Sequence, residues 1–307
     1  MIQDGKLVAF ATETVYGLGA NALNPVAVAK IFEAKERPHF DPLIVHLCDQ
    51  SQLEEFVESV SETAQALVDH FWPGPLTLVL PKRDLIPDLV TSGLPNVAIR
   101  IPERDSAREL IQKAGVPIAA PSANRFGSVS PTTAEHVLDG LEGRIDAVLD
   151  DGACDIGVES TVLACPADGT ATLLRPGGLS LEEIEKVIGK VLQLDPNQNR
   201  DDSPQAGPGM LSRHYAPSKP IQIVSSLQEI RDCNGKGALM MGSHETNQFE
   251  VVENLSPSGS LVEAAANFFA ALRRLERTNI DSIVAMPFPN EGLGRALNDR
   301  LKRAAAE

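Results

Sequence analysis

Short apolar runs punctuate the first half of the chain: LVAFA (7–11), LIVHL (43–47), LTLVL (76–80), VAIRI (97–101), PIAA (117–120) and DAVLD (146–150). Runs of this length, bounded by Gly, Pro and polar clusters, predict strands, and the stretches between them are spaced as helices. The pattern therefore predicts a mixed α/β sheet. Helix starts are marked by Asn24-Pro25, a cap ahead of a first-turn proline, and by the Ser51/Glu54, Thr132/Glu135 and Ser180/Glu183 pairs, which fit the capping box. Gly115 and Gly189 stand where helices stop.

After Gly189 the periodicity lapses into VLQLDPNQNRDDSPQAGPGMLSRHYAPSKP. It resumes with PIQIV (220–224), GALMM (237–241), an amphipathic helix from Ser260/Glu263 to about Arg277, SIVAM (282–286) and a closing helix from Gly294. This predicts a first α/β domain over residues 1–190, a connector over 191–219 and a small second α/β domain over 220–307. A length of 307 residues suits two cores, with one large domain as the alternative.

Composition narrows the function classes. Apolar residues make up 43% of the chain, yet no stretch approaches the roughly 18 uncharged apolar residues of a membrane span. The first residues are too acidic and too short for a secretory signal, so the expectation is a cytoplasmic protein without membrane partners. With 42 acidic against 27 basic residues, a net charge of −15 argues against nucleic acid as a tightly held partner, and any anion site must be local. Cys48, Cys154, Cys165 and Cys233 show no metal-like spacing and read as reduced thiols, so no protein metal site is expected.

GLGANA (17–22) matches a dinucleotide fingerprint in letters only, because Asn24-Pro25 delays the helix that such a site needs at once. P-loop, zincin and nucleophile-elbow motifs are missing from the sequence. What remains is polar residues at strand ends. Alternation puts Arg100 on the opposite side of its strand from Val97, Ile99 and Ile101, where it can hold a carboxylate or form a surface ion pair. Lys35 and Arg37 flank a helix C-terminus and suit either an anion or the helix dipole. Ser122 and Asn124 fit a turn, Ser130 or Thr132 a cap, Thr12 a strand end, and His46 a core. The connector is the exception, since it sets Arg213, His214 and one of only two tyrosines, Tyr215, in a row.

Taken in order, TETVYGLGANA, KERPHFDPLIVH, WPGPLTLVL, VAIRIP, PIAAPSAN, GVESTV, LLRPG, GPGMLSRHYAP and GLGRALNDRLKRAA resemble the Sua5/YrdC/YciO family, in its two-domain Sua5 branch. The resemblance implies a YrdC-like twisted mixed-sheet α/β domain, an extended linker and a small Rossmann-like C-terminal domain. It implies a threonylcarbamoyl-AMP synthase that turns L-threonine, bicarbonate and ATP into threonylcarbamoyl-AMP and pyrophosphate, for N6-threonylcarbamoyladenosine in tRNA. A transfer of this kind rests on positioning and charge neutralisation, so it requires no nucleophile motif. The alternative is a non-catalytic RNA-binding or nucleotide-sensing member of the same fold.

By the same resemblance, Lys35, Arg37, Ser92, Ser122, Asn124, Ser130, Arg175, Arg213, His214 and Tyr215 would serve ATP, with Lys35 and Arg37 at the reacting phosphates. Thr12, His46, Arg100, Ala120 and Ser160 would hold threonine. Mg²⁺ would travel on the triphosphate, and a tRNA threonylcarbamoyl transferase would take the product. Two departures from the family pattern stand out: Ala11 replaces the usual proline before the first Thr, and the first strand comes without the helix that usually precedes it. Both bear on the stability of that edge.

Overall fold

The computed structural model describes residues 1–194, 207–210 and 214–306. The first part of the chain supplies β1 (Val8–Phe10), β2 (Gly17–Asn21), α1 (Pro25–Lys35), β3 (Ile44–His46), α2 (Leu53–Phe56), α3 (Glu62–Phe71) and β4 (Leu76–Pro81). It continues through α4 (Asp88–Thr91), β5 (Asn96–Arg100), α5 (Asp105–Ala114), β6 (Ile118–Ala119), α6 (Ala134–Leu141) and β7 (Ala147–Leu149). Then come β8 (Thr161–Ala164), β9 (Thr172–Arg175), α7 (Leu181–Ile188) and β10 (Leu192–Gln193). These strands form one mixed sheet in the order β10-β9-β8-β4-β5-β3-β6-β2-β1-β7.

Alternation along the strands divides this sheet into two buried faces. Val45, Ile99 and Leu78 point into the main core with Val28 and Ile31 of α1, Leu67 of α3 and Ile184 of α7. Their neighbours point the other way. Val8, Phe10, Ile118 and Ala120 pack under Ala107, Ile111 and Ala114 of α5, and Ile44, Val79, Ala98, Val162 and Leu174 pack under Met210. Ile2, held in the turn before β1, joins the α5 cluster.

The second sheet contains β11 (Ile221–Ile223), β12 (Lys236–Met240), β13 (Val251–Asn254) and β14 (Ser282–Ala285), in the order β11-β14-β12-β13 and parallel throughout. Two helices, α8 (Leu261–Glu276) and α9 (Gly294–Ala304), cover the face carrying Leu239, Ile283 and Ala285. That same cluster takes in Val15, Val129, Val158 and Tyr215, so the helical layer of the second sheet packs directly on the first part of the chain. Arg277 reinforces this seam by pairing with Glu135 at 3.4 Å and with Asp139.

Several local expectations hold at the atomic level. Asn24 accepts from the Val26 and Ala27 amides, Ser180 and Glu183 form a capping box, and Gly115 closes α5 in the left-handed conformation. Others are corrected. Asp49, with Gln52, caps the turn before α2 in place of Ser51 and Glu54, and the next helix starts from Ser61. The cap of α6 is Thr133, not Thr132, and its side chain accepts from the His136 amide. The GLGAN stretch is neither loop nor cofactor turn but the strand β2, deep in the sheet. A Cβ on Gly19 would come within 2.8 Å of Ile118 Cγ2 and 2.9 Å of Phe10 Cε1, so glycine there serves close packing.

Candidate active site

A cavity opens on the face of the large sheet opposite α1, α3 and α7, between strand ends and the residues Pro208, Gly209, His214 and Tyr215. Period-two alternation delivers its floor: Ile44 and His46 of β3, Arg100 of β5, and Ala120 just after β6. The loop after β1 contributes Thr12, Thr14 and Val15, the loop after α1 contributes Arg37, and the turn after β6 contributes Ser122. Glu159, Ser160 and Arg175 form a further wall, and Pro208, Gly209, His214 and Tyr215 form the cover.

Backbone bonds hold these loops together. The Leu18 amide donates to the Pro121 carbonyl at 2.8 Å and the Ala123 amide to the Tyr16 carbonyl at 2.8 Å, locking the loop after β1 to the turn after β6. Lys35, buried at the end of α1, braces that turn from behind, donating to the Ser122 carbonyl at 2.5 Å and also to that of Asn124. Burial, with Arg37 adding repulsion, pushes the Lys35 pKa well below the ordinary ammonium value.

Two of the cavity's arginines, Arg37 and Arg100, are paired with carboxylates, while Arg175 is held by carbonyls. Arg37 pairs with Asp41 at 2.8 Å and donates to the Pro42 carbonyl at 2.9 Å. Arg100 pairs with Glu13, donates to Thr14 Oγ1 at 2.9 Å and to the Gly74 carbonyl at 3.1 Å. Arg175 donates to the Ser160 carbonyl at 2.8 Å. His46 is different: burial first, and Arg100 second, hold its pKa at about 3, so the ring is neutral, and its Nδ1 has no partner among the described residues.

The cover sits tightly. Arg175 reaches the Pro208 carbonyl, the Gly209 amide donates to Asp41 Oδ1 at 3.3 Å, and the Ala216 amide donates to the Gly127 carbonyl at 2.8 Å. The Tyr215 ring lies 4.1 Å from that of His214 and 5.7 Å from that of Phe269, with the Arg300 guanidinium 4.9 Å from its centre. The space left beneath is about 50 Å³, well under the several hundred Å³ of small-molecule sites.

The Sua5/YciO/YrdC family model, described as telomere recombination, matches residues 1–177. A second model, described as the C-terminal domain of threonylcarbamoyl-AMP synthase, matches residues 179–306. The chain belongs to the Sua5/YrdC/YciO family, in its two-domain form. It is 43% identical to the threonylcarbamoyl-AMP synthase of Pyrococcus abyssi over 99% of this chain and 92% of that one. It is likewise 43% identical to the Bacillus subtilis protein of that name, over 99% and 91% of the two chains. The solved structure of P. abyssi Sua5 complexed with L-threonine superposes with a TM-score of 0.91 at 44% identity, covering 99% of this chain and 92% of that one.

Within this Sua5-type architecture, the residues singled out from the sequence separate into three groups. Thr12, Arg37, His46, Arg100, Ala120, Ser122, Ser160, Arg175, His214 and Tyr215 meet in the one cavity. Lys35, Asn124 and Ser130 stand behind its wall: Asn124 Nδ2 holds the Arg125 and Ser128 carbonyls at 2.8 Å each, and Ser130 Oγ donates to Glu159 at 2.5 Å. Ser92 lies outside the cavity, its hydroxyl on the His39 carbonyl at 2.8 Å. Arg213 lies outside the described residues. The carboxylates Glu13, Asp41 and Glu159 were not anticipated, although Glu13 lies inside the TET motif and Glu159 inside GVESTV.

Proposed function

We infer that the chain is a threonylcarbamoyl-AMP synthase, a nucleotidyltransferase that uses L-threonine, bicarbonate and ATP and releases pyrophosphate. The observation that carries this reading is the convergence of Arg37, His46, Arg100, Ser160 and Arg175 in one covered cavity, within a chain of Sua5 architecture over its whole length.

The threonine amine and bicarbonate give a carbamate with loss of water. A carbamate oxygen then bonds to the α-phosphorus of ATP, the bond from that phosphorus to the bridging oxygen breaks, and pyrophosphate leaves with the electron pair. No step calls for a protein nucleophile; the protein's work is to align two anions and offset their charge. Arg100 offers its guanidinium to the threonine carboxylate, with Glu13 and Thr14 fixing its orientation. The neutral His46 ring offers Nδ1 to the threonine hydroxyl, and Thr12, Ala120 and Ser160 shape that end of the pocket.

Arg37, Arg175 and Ser122, which line the same cavity, would take the phosphates. Lys35, Asn124 and Ser130 keep that wall in shape, and an arriving phosphate would favour the charged form of Lys35. Ser92, outside the cavity, would act only by steadying the loop after α1 through the His39 carbonyl. His214 and Tyr215 belong to the cover, which excludes water from a hydrolysable mixed anhydride once the site is loaded.

Mg²⁺ belongs to this reading as a passenger of ATP. The nearby carboxylates Glu13, Asp41 and Glu159 are each engaged by an arginine, and the described residues contain no cluster of His, Cys, Asp or Glu fit for a metal. The fit is therefore to Mg²⁺ held by phosphate oxygens, where it would neutralise charge on the leaving pyrophosphate. The product is a mixed anhydride suited to a transferase acting on tRNA adenosine, with which this chain would work in the cytoplasm. Among the described residues no helix is long and apolar enough to cross a membrane.

The deciding experiment is pyrophosphate release from ATP and Mg²⁺, with threonine and bicarbonate each supplied or withheld. Release that depends on both is expected. Equal release without threonine overturns the reading.

A further inference from the structure

Arg300, on α9 of the second sheet's layer, is wholly buried, and it is buried against the first part of the chain. Its Nε donates to Glu159 Oε2 at 2.7 Å, and the other oxygen of Glu159 accepts from Ser130 at 2.5 Å. The same guanidinium lies 4.9 Å from the centre of the Tyr215 ring, and its Nη1 pairs with Asp299. Glu159 and Tyr215 both line the cavity, while Arg300 does not. One side chain from the C-terminal end thus grips two elements of the site that lie far apart in sequence: a wall residue and a cover residue.

Burying a guanidinium and a carboxylate together is costly unless every good contact is made. Burial opposes ionisation of Glu159, but the Arg300 and Arg175 guanidiniums and the Ser130 hydroxyl outweigh it and hold the carboxyl below its ordinary range. Glu159 precedes Ser160, whose Oγ lies 2.7 Å from Thr77 Oγ1 and whose carbonyl receives Arg175. Any loosening of Glu159 therefore passes to Ser160 and Arg175.

We propose that Arg300 is a positioning residue for the synthase reaction: through Glu159 it fixes the wall that carries Ser160 and Arg175, and through Tyr215 it seats the cover over bound ATP. The second domain then takes part in catalysis by completing the closed site, and α9 is the element that does so. The proposal rests on the synthase reading.

The test uses the full-length chain and pyrophosphate release with saturating threonine, bicarbonate and Mg²⁺. Release by the parent chain tests the synthase reading itself, so a parent that is inactive overturns that reading and the proposal with it. Given an active parent, Arg300→Gln is expected to raise KM for ATP about tenfold, the scale of one charge-assisted contact. Arg300→Lys, which keeps the charge, is expected to recover part of the loss. A merely structural role would reduce kcat through loss of folded enzyme and leave KM unchanged, and that result overturns the proposal. Should Arg300→Gln fail to fold, Glu159→Gln leaves α9 in place and is expected to show the same rise in KM; a parental KM for Glu159→Gln overturns the proposal as well.

Discussion

Arg175 Nη1 donates to the Pro208 carbonyl at 3.1 Å, joining the last residue of β9 to the segment that covers the cavity. Gly209 follows at φ 70°, its amide on Asp41, which itself pairs with Arg37. The cover is thus tied to two of the cations proposed for the phosphates. Opening it exposes both.

Gly209→Ala is expected to disturb this closure. Its backbone lies in the left-handed region, which costs a residue with a Cβ about 1–2 kcal/mol. The added carbon would also fall 2.6 Å from Arg175 Nη1 and 3.0 Å from the Tyr215 hydroxyl. A several-fold rise in KM for ATP, with little change in KM for threonine, is the expected kinetic outcome. Parental kinetics would mean that the cover bears no load.

Replacing His214 and Tyr215 together by Ala removes the rings that seat the cover against Phe126 and Phe269. The large sheet should still fold, while more of the product is lost to hydrolysis. The ratio of AMP to threonylcarbamoyl-AMP, followed by chromatography over time, reads this directly. A ratio equal to the parent's would reduce the segment to a spacer.

Arg37→Ala and Arg100→Ala should separate the two substrates. Each removes a charge-assisted contact worth about 1.5–3 kcal/mol, raising KM by about ten- to a hundredfold, for ATP with Arg37 and for threonine with Arg100. Arg100→Ala also leaves Glu13 buried without its ion pair, so a loss of about 3–5 kcal/mol in denaturant titrations is expected. Adding Glu13→Gln should restore part of that stability but not the threonine KM. If both single variants lose only ATP affinity, the division of the pocket is wrong.

The buried His46 makes stability depend on pH. In the folded chain its pKa is about 3, and unfolding returns it to the ordinary value of 6.5. Between those values the unfolded chain binds more protons, so stability falls as pH falls, by about 1.4 kcal/mol per pH unit for this one group. His136, held at about 4 chiefly by burial, acts in the same direction more weakly because it is partly exposed. His46→Gln should flatten the stability profile below about pH 6 in urea titrations. An unchanged slope would show that the ring is not neutral in the fold.

Much of this architecture is written in local pattern. The apolar runs at β1, β3, β4, β5, β6, β7, β12 and β14 announce themselves because each carries consecutive apolar residues, and β11 because its isoleucines alternate with Gln222. β2 does not, since two of its five residues are glycines whose value lies in what packs against them. β13 is an edge strand with Glu253 and Asn254 at its end, too polar and too short to be told from a loop. Helix caps were legible to within a residue or two, which is as far as a Ser or Thr in a run of polar residues discriminates.

The candidate site divides the same way. Alternation within VAIRI suffices to place Arg100 opposite the main core, because a strand has only two faces and the aliphatic residues claim one of them. His46 reads by itself as a core residue, and the fold sets it on the cavity floor. The order of the family motifs brings in Arg37, Ser160 and Arg175. Nothing local distinguishes Glu13, Asp41 and Glu159 from the rest of 42 acidic residues, since their roles are fixed by partners and burial. For Glu159 the partner is 141 residues away. Sequence alone determined the strand that carries Arg100 and the order of the motifs, through short-range periodicity, but it did not separate Lys35, Asn124 and Ser130, behind the wall, from the residues that line the cavity. Only the tertiary structure decided which charges meet there, because a buried ion pair depends on the packing that excludes water from it, and that packing joins segments no local pattern connects.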